Sequence, residues 1–236
     1  MATTRGEGLP HQLAASARTL IADFNTLLNG TICDGMRLNG VPSFTDSEGP
    51  IVIVGYKISP QSTVSRIAMP VGVSGKPSLW LGFSMRLAAD ADSKYLMVSS
   101  SVMYVATSES GEPLFHIDYE RDKPDGHPES HIQINATSDD WESIATIDGQ
   151  RKGLPKLHFP AGGRRYRPTL EDLIRFLIGE GLVVPRNGWE SVVDDSARQF
   201  AVKQLRAAVR ADPHTAIEAL RDHPPADVDL STVFSE

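Results

Sequence analysis

The chain of 236 residues contains one cysteine, Cys33, and no apolar run long enough to form a membrane-spanning helix. A single cysteine excludes an internal disulfide and a zinc site built from several cysteines. A membrane helix needs roughly 18–20 consecutive apolar residues, so we expect no membrane association. The first residues, MATTRGEGLPHQ, also lack the apolar segment of a secretory signal, and we therefore expect a cytoplasmic protein.

Basic residues are outnumbered as well: 23 lysines and arginines face 30 aspartates and glutamates, for a net charge of −7. This balance argues against a protein that coats nucleic acid with its whole surface, although a local basic patch stays open. The motifs G-x-x-x-x-G-K-[ST], G-x-S-x-G and G-x-G-x-x-G do not occur. The residues assign no cofactor.

The pattern of apolar residues changes twice along the chain. Residues 9–30 have helical periodicity and end in Asn29-Gly30, so they predict an amphipathic helix. From about residue 31 to 160, short β-rich runs alternate with turn residues. The predicted strands are IVIVGYKI, STVSRIAM, SLWLGFSMRLA, KYLMVSS with SVMYVAT, LFHIDY, HIQIN and PKLHF.

Helical patterns return after residue 160. RPTLEDLIRFLIGEG has Thr169 at the N-cap position and Asp172 three residues later, which predicts a helix start. SVVDDSARQFAVKQLRAAVRA predicts a second helix, starting near Asp195, and DPHTAIEALRDH a third, capped by Asp212.

These patterns predict an α+β fold with an N-terminal helix, a mainly antiparallel sheet and a helical C-terminal third. Short connections favour antiparallel pairing, as a curved or partly barrel-like sheet. We expect four regions: a disordered N-terminus at 1–9, a sheet domain at 10–180, a helical extension at 181–223 and a flexible tail at 224–236.

Polar residues concentrate in HIDYERDKPDGHPESHIQI, residues 116–134, which reads as two strands around a charged loop. Alternation puts Phe115 and Ile117 on one face and His116 and Asp118 on the other. If Tyr119 lies opposite Ser130, then Asp118 faces His131 and His116 faces Gln133. His127 lies in the loop and is assigned to no site.

A second stretch, RKGLPKLHFPAGGRRYRP at 151–168, contains no acidic residue. His158 lies on the polar side of a predicted strand, and Gly162-Gly163 would let the backbone approach a ligand. Arg164, Arg165 and Arg167 come just before the predicted helix start, an arrangement that suits a phosphate or carboxylate. In the alternative, the glycines only turn a hairpin and the arginines neutralise the acidic segment 112–148.

Neighbouring strands would bring the two stretches onto one sheet face. His116, Asp118, His131 and His158 are then candidate acid–base residues, and Gln133, Gly162, Gly163 and the three arginines are candidate ligand contacts. This set suits phosphodiester cleavage or a nucleotide pocket. Two alternatives stay open: a metal held by two histidines and Asp118, and a polar face that is simply solvated.

The run DYERDKPDGHPESH, followed by the helix LEDLIRFL, resembles small toxin proteins of bacterial toxin–antitoxin modules. Those proteins carry a D-x-E-R-x-K-x-D-x-H run and an L-x-x-x-x-x-F-L-like helix. The resemblance covers residues 114–178 at most and assigns no catalytic roles. It implies a nucleic-acid-related activity in a conflict or mobile-element setting.

Two functions remain on the residues alone. One is a site that binds a nucleotide or RNA and performs phosphate chemistry. The other is a non-catalytic interaction module that binds a protein partner through the C-terminal helices and tail.

Overall fold

The computed structural model describes residues 9–64, 67–73, 77, 79–123, 126–143, 149 and 153–223. The helices are α1 His11–Thr31, α2 Asp139–Ser143, α3 Leu170–Gly179, α4 Trp189–Ala211 and α5 Pro213–Asp222. The strands are β1 Leu38–Thr45, β2 Gly49–Tyr56, β3 Met69–Val71, β4 Leu79–Ala89, β5 Leu96–Ala106, β6 Pro113–Glu120, β7 Ser130–Ile134 and β8 Phe159–Pro160.

The described strands form one antiparallel sheet in the order β1-β2-β4-β5-β6-β7-β8, with β3 paired to β4. The predicted α+β fold with an antiparallel sheet is therefore confirmed. Within the described residues β1 and β8 each pair with one neighbour, so the sheet is open and does not close into a barrel.

The core lies on one face of this sheet. Leu81, Phe83 and Leu87 of β4 are buried and alternate with residues of the other face, as the sequence predicts. Helix α1 packs over β4, where the rings of Phe24 and Phe83 meet edge to face at 5.4 Å. Helix α3 packs over β6 through Phe176 and Phe115, at 5.8 Å. Two helices thus cover this face, whereas the opposite face carries polar side chains toward β6 and β7.

Helix α1 does not end at Asn29-Gly30 but continues to Thr31. The Asn29 side chain is used for another purpose, because its amide binds both the N–H and the C=O of Met36. Asn25, one turn earlier, binds the N–H and C=O of Leu38 in the same way. The two amides thus occupy the free edge at the start of β1, like a short paired strand.

The C-terminal helices follow the prediction in two of three cases. Thr169 and Asp172 form the capping box at the start of α3, and Asp212 caps α5. Helix α4 starts at Trp189 rather than near Asp195. The reason is packing: Val193 is buried in the core and Trp189 packs against it, so the first turns belong to the sheet domain.

Three strand predictions differ from the structure. The sequence does not predict strand β1, because Gly40 and Pro42 interrupt its pattern, although an edge strand tolerates both. Of STVSRIAM, only Met69 lies in a strand, and residues 65 and 66 lie outside the described residues. PKLHF contributes one residue, Phe159, to β8 after a 3₁₀ turn at Leu154–Lys156.

The chain divides into two compact units, Met1–Val193 and Asp194–Glu236. Residues 181–193, which the sequence pattern assigns to the C-terminal extension, lie in the first unit. The predicted disorder at 1–9 concerns residues outside the described part except Leu9, which packs against the core. The predicted tail at 224–236 lies outside the described residues.

Candidate functional site

The register of β6 and β7 is the one that the alternation predicts. Tyr119 pairs with Ser130, Asp118 with His131, and His116 with Gln133. Directly opposed residues point to the same face of a sheet, so two histidines, an aspartate and a glutamine share the face that the helices leave uncovered. We call this set, together with His127 and His158, the histidine face.

Asp118 is the residue that the two imidazoles share. Its Oδ2 lies 3.5 Å from Nε2 of His131 and 4.0 Å from Nδ1 of His116. Its Oδ1 is buried and has no hydrogen-bond partner within the described part of the chain. Buried polar atoms in folded proteins almost always have a partner. This oxygen is therefore a feature that a purely structural role does not explain.

The ring of His116 is held in one tautomer. The Gln133 amide donates from Nε2 to the carbonyl oxygen of Pro155 at 3.1 Å, which leaves its Oε1 as an acceptor. That Oε1 is 2.9 Å from Nε2 of His116, so Nε2 carries the hydrogen. In the neutral ring Nδ1 then holds the lone pair. The His116 side chain is 32% exposed, so a ligand can reach this lone pair.

His131 has a different position, since it is only 2% exposed. Its Nδ1 lies 3.2 Å from the carbonyl oxygen of Pro128, which can only accept, so Nδ1 carries a hydrogen. Nε2 of the same ring faces Asp118 Oδ2 at 3.5 Å. His131 therefore positions Asp118 and does not itself face a ligand.

His158 and His127 extend the histidine face across β8 and the loop. Strands β7 and β8 pair His131 with Pro160 and Ile132 with Phe159. The same register, continued by one residue, places His158 opposite Gln133. Its ring meets His131 edge to face at 4.6 Å and lies 4.0 Å from the ring of His127. The sequence pattern assigns His127 to no site. Local patterns could not place it beside His158, because the contact joins two segments that are far apart in the chain.

Tyr104 joins the same face from β5 and was not predicted either. It pairs with His116 on one side and with Gly82 on the other. Burial raises the pKa of Tyr104 above its ordinary value, so the side chain is a neutral phenol at physiological pH. The alternation within SVMYVAT carries the signal, because a residue paired with His116 must share its face.

Arg164 is engaged in the loop rather than beside the histidines. It forms ion pairs of 2.6 Å with Glu129 and 2.5 Å with Asp122. The hydrogen bonds from Arg164 hold the pKa of Glu129 below its ordinary value. The prediction that Arg164 binds a ligand is not supported by this geometry, which matches the alternative that arginines neutralise the acidic segment.

Arg167 also lies away from the histidine face. Its guanidinium is 4.3 Å from the centroid of the Tyr119 ring, and Tyr119 points to the core face. It donates to the carbonyl oxygen of Arg164, and burial lowers its pKa. Arg165 is half-buried and makes no hydrogen bond or ion pair with the residues that the structure describes. Of the three predicted arginine contacts, Arg165 is the one that no described group engages.

The glycine pair serves a turn. Gly162 has φ +76°, and a Cβ there would lie 2.3 Å from the carbonyl oxygen of Tyr166, so only glycine fits. Gly163 accepts a hydrogen bond from the N–H of Tyr166 at 3.1 Å, which closes the turn. The first amides of α3, which were expected to attract an anion, are partly used by the capping box of Thr169.

Neither a metal-binding cluster nor a membrane-spanning helix is found in the described part of the chain. No group of three or more His, Cys, Asp or Glu side chains among these residues is arranged to hold a metal ion. No helix among them has both the length and the apolar composition needed to cross a membrane.

Comparison with protein-family models, with curated proteins and with solved structures gave no match. The function is therefore inferred from the side chains of the histidine face.

Proposed function

We propose that the protein binds a phosphate-bearing ligand on the histidine face and transfers protons there through His116. The observation that carries this proposal is the shared carboxylate: two imidazoles converge on Asp118, and one of them has its tautomer fixed and a reachable lone pair. An imidazole that is oriented by an amide and stabilised by a carboxylate is suited to general acid–base catalysis.

His116 is the proton-transfer group because it combines a fixed tautomer with partial exposure. When Nδ1 takes up a proton, Asp118 at 4.0 Å stabilises the resulting imidazolium. The sequence pattern makes His131 a candidate for this role as well, but the burial of that ring supports a positioning role instead. A proton-transfer group contributes about 10²- to 10⁴-fold to a rate.

The case for a phosphate rests on the hydrogen-bond donors near this base. The ring centroids of His127 and His158 lie 4.0 Å apart, and the N–H groups of imidazoles can donate to phosphate oxygens. Arg165 adds a charge within the same basic stretch. Phosphodiester and nucleotide chemistry are the reaction classes that suit this set. The resemblance to toxins of toxin–antitoxin modules agrees with a nucleic-acid ligand and, like a cytoplasmic location, remains part of the proposal.

The test compares His116→Asn with a control, His11→Asn, which changes an exposed histidine at the start of α1. Binding of inorganic phosphate and ribose 5-phosphate is measured by calorimetry at low salt. Turnover is measured on mononucleotides and RNA, with and without divalent metal ions. We expect His116→Asn to lower turnover about 10²- to 10⁴-fold while binding changes much less.

His11→Asn should behave as the wild type in both assays. If no phosphate compound binds and no substrate turns over with the wild-type protein, the histidine face is a solvated surface and the proposal is wrong. If His116→Asn turns over at the wild-type rate, proton transfer by this residue is excluded.

A second candidate function, a protein-interaction module, is favoured by the surface of α4. Val202, Leu205 and Val209 are 43%, 66% and 45% exposed, and their spacing of three and four residues places them on one side of the helix. Exposed apolar stripes of this kind mark interaction sites. Leu205→Ser should then abolish binding to a protein partner and leave the chemistry of His116 unchanged.

A further inference from the structure

We propose that Tyr104 is a stacking platform for an unpaired nucleobase, which makes a nucleotide unit the ligand of the histidine face. This inference rests on the proposed function and names its ligand class. Phosphate alone would need only the imidazoles, whereas a nucleotide also needs a flat surface beside them.

The orientation of Tyr104 is the first observation. A Cβ added to Gly82 would lie 1.9, 2.0 and 2.4 Å from Cε1, Cζ and Cδ1 of the Tyr104 ring. Because three neighbouring ring atoms lie this close to the Cβ position of Gly82, the face of the Tyr104 ring lies over that glycine. One side of the ring is therefore covered by β4, and the other points away from the sheet. The ring is half-buried, as expected for a ring with one covered side.

The position of Tyr104 within the sheet is the second observation. Gly82, Tyr104, His116 and Gln133 occupy one row across β4, β5, β6 and β7. Neighbouring strands are about 4.8 Å apart, so the Tyr104 ring over Gly82 of β4 lies two strands, roughly 10 Å, from His116 on β6. A base stacked on Tyr104 directs its sugar and phosphate along this row toward His116.

A structural role for Tyr104 predicts a different outcome. A ring that only covers Gly82 would stabilise the sheet without discriminating between ligands. A stacking platform prefers ligands that carry a base, because each base stacked on an aromatic ring strengthens binding by about 5- to 150-fold.

The experiment measures the binding of three probes: a 5′-mononucleotide, ribose 5-phosphate and inorganic phosphate. The proteins are the wild type, Tyr104→Leu, Tyr104→Phe and the control Tyr95→Leu, which changes a tyrosine that is 47% exposed just before β5. We expect the wild type to bind the nucleotide about 5- to 150-fold more tightly than ribose 5-phosphate. Tyr104→Leu should lose this preference, and Tyr104→Phe and Tyr95→Leu should keep it.

A second measurement does not depend on variants that fold. Base protons of the nucleotide should shift upfield in the NMR spectrum on binding to the wild type, because a stacked base lies over the ring of Tyr104. The inference is wrong if ribose 5-phosphate binds as tightly as the nucleotide, or if the base protons do not shift. In that case phosphate binding by the wild type, together with turnover that His116→Asn lowers, leaves the proposed function standing. If none of the three probes binds to the wild type, the proposed function fails and this inference fails with it.

Discussion

His131 offers the sharpest test of the site, because its removal should destabilise the protein in a way that a solvated histidine would not. The side chain is 2% exposed, pairs with the Pro128 carbonyl and holds the Oδ2 of Asp118. His131→Ala removes one hydrogen bond, leaves a cavity and leaves the carboxylate without its nearest partner. Removing one partner of a buried pair costs about 3–5 kcal/mol.

The expected magnitude is smaller than that range because Asp118 is 24% exposed and keeps His116 at 4.0 Å. We expect the free energy of unfolding to fall by about 2–4 kcal/mol. For a chain of this length, a loss of that size lowers Tm by roughly 5–15 °C. Urea denaturation followed by circular dichroism measures the change, with His11→Ala as a control at an exposed position.

A double-mutant cycle with Asp118→Ala isolates the pair. If the two side chains interact, the double variant should be about 1–2 kcal/mol more stable than the sum of the single effects predicts. Effects that add to within about 0.5 kcal/mol would show that the residues do not interact, and the account of Asp118 as a shared carboxylate would then be wrong.

Three further predictions concern groups outside the site. Thr169→Ala should lower the free energy of unfolding by about 1 kcal/mol through loss of the α3 cap, measured by urea denaturation; an unchanged midpoint would contradict the role of the capping box. Burial raises the pKa of Cys33 to about 12, so a thiol reagent at neutral pH should react only as the protein unfolds; prompt labelling in the absence of denaturant would contradict this burial. Hydrogen bonds from Arg164 lower the pKa of Glu129. The charged carboxylate therefore stabilises the fold fully at pH values above its ordinary pKa of 4.5, and this stabilisation is lost as the pH falls through the lower pKa of the folded protein. Glu129→Gln should therefore be less stable than the wild type at pH 7, and the difference should shrink in acid; a difference independent of pH would contradict the ion pair.

The register of β6 and β7 could be predicted because local patterns determine it. The apolar residues of both strands must face the core, and a shift by one residue would turn Ile117 and Ile132 to solvent. The charged loop between them leaves one place for the turn. The patch formed by His116, Asp118 and His131 follows directly from these two constraints.

Contacts between distant segments could not be predicted in this way. Strand β1 is held at its edge by the amides of Asn25 and Asn29, side chains that read locally as a helix end. Arg164 lies 35 residues from Glu129 along the chain. The composition indicates that arginines neutralise the acidic segment, but it does not predict which acidic residue pairs with Arg164. His127 likewise lies beside the site through a contact with His158, a residue far from it along the chain.

The open half of the sheet face is where we propose the site, and it differs from the rest of that face. On the same face, the β1–β2–β4 end is apolar and forms its own small cluster of buried residues, which includes Ile51, Ile53 and Ala88. Toward β6 and β7 the face becomes polar, and water could solvate every side chain there.

A solvated surface would leave its histidines exposed and its carboxylates paired with water. Instead His131 is buried, and the Oδ1 of Asp118 is buried without a partner among the described residues. A buried carboxylate oxygen without a partner reduces stability, and such an exception in a folded protein calls for an explanation. The unfavourable placement of this carboxylate, rather than the number of histidines around it, is therefore the reason to look for a ligand on this face.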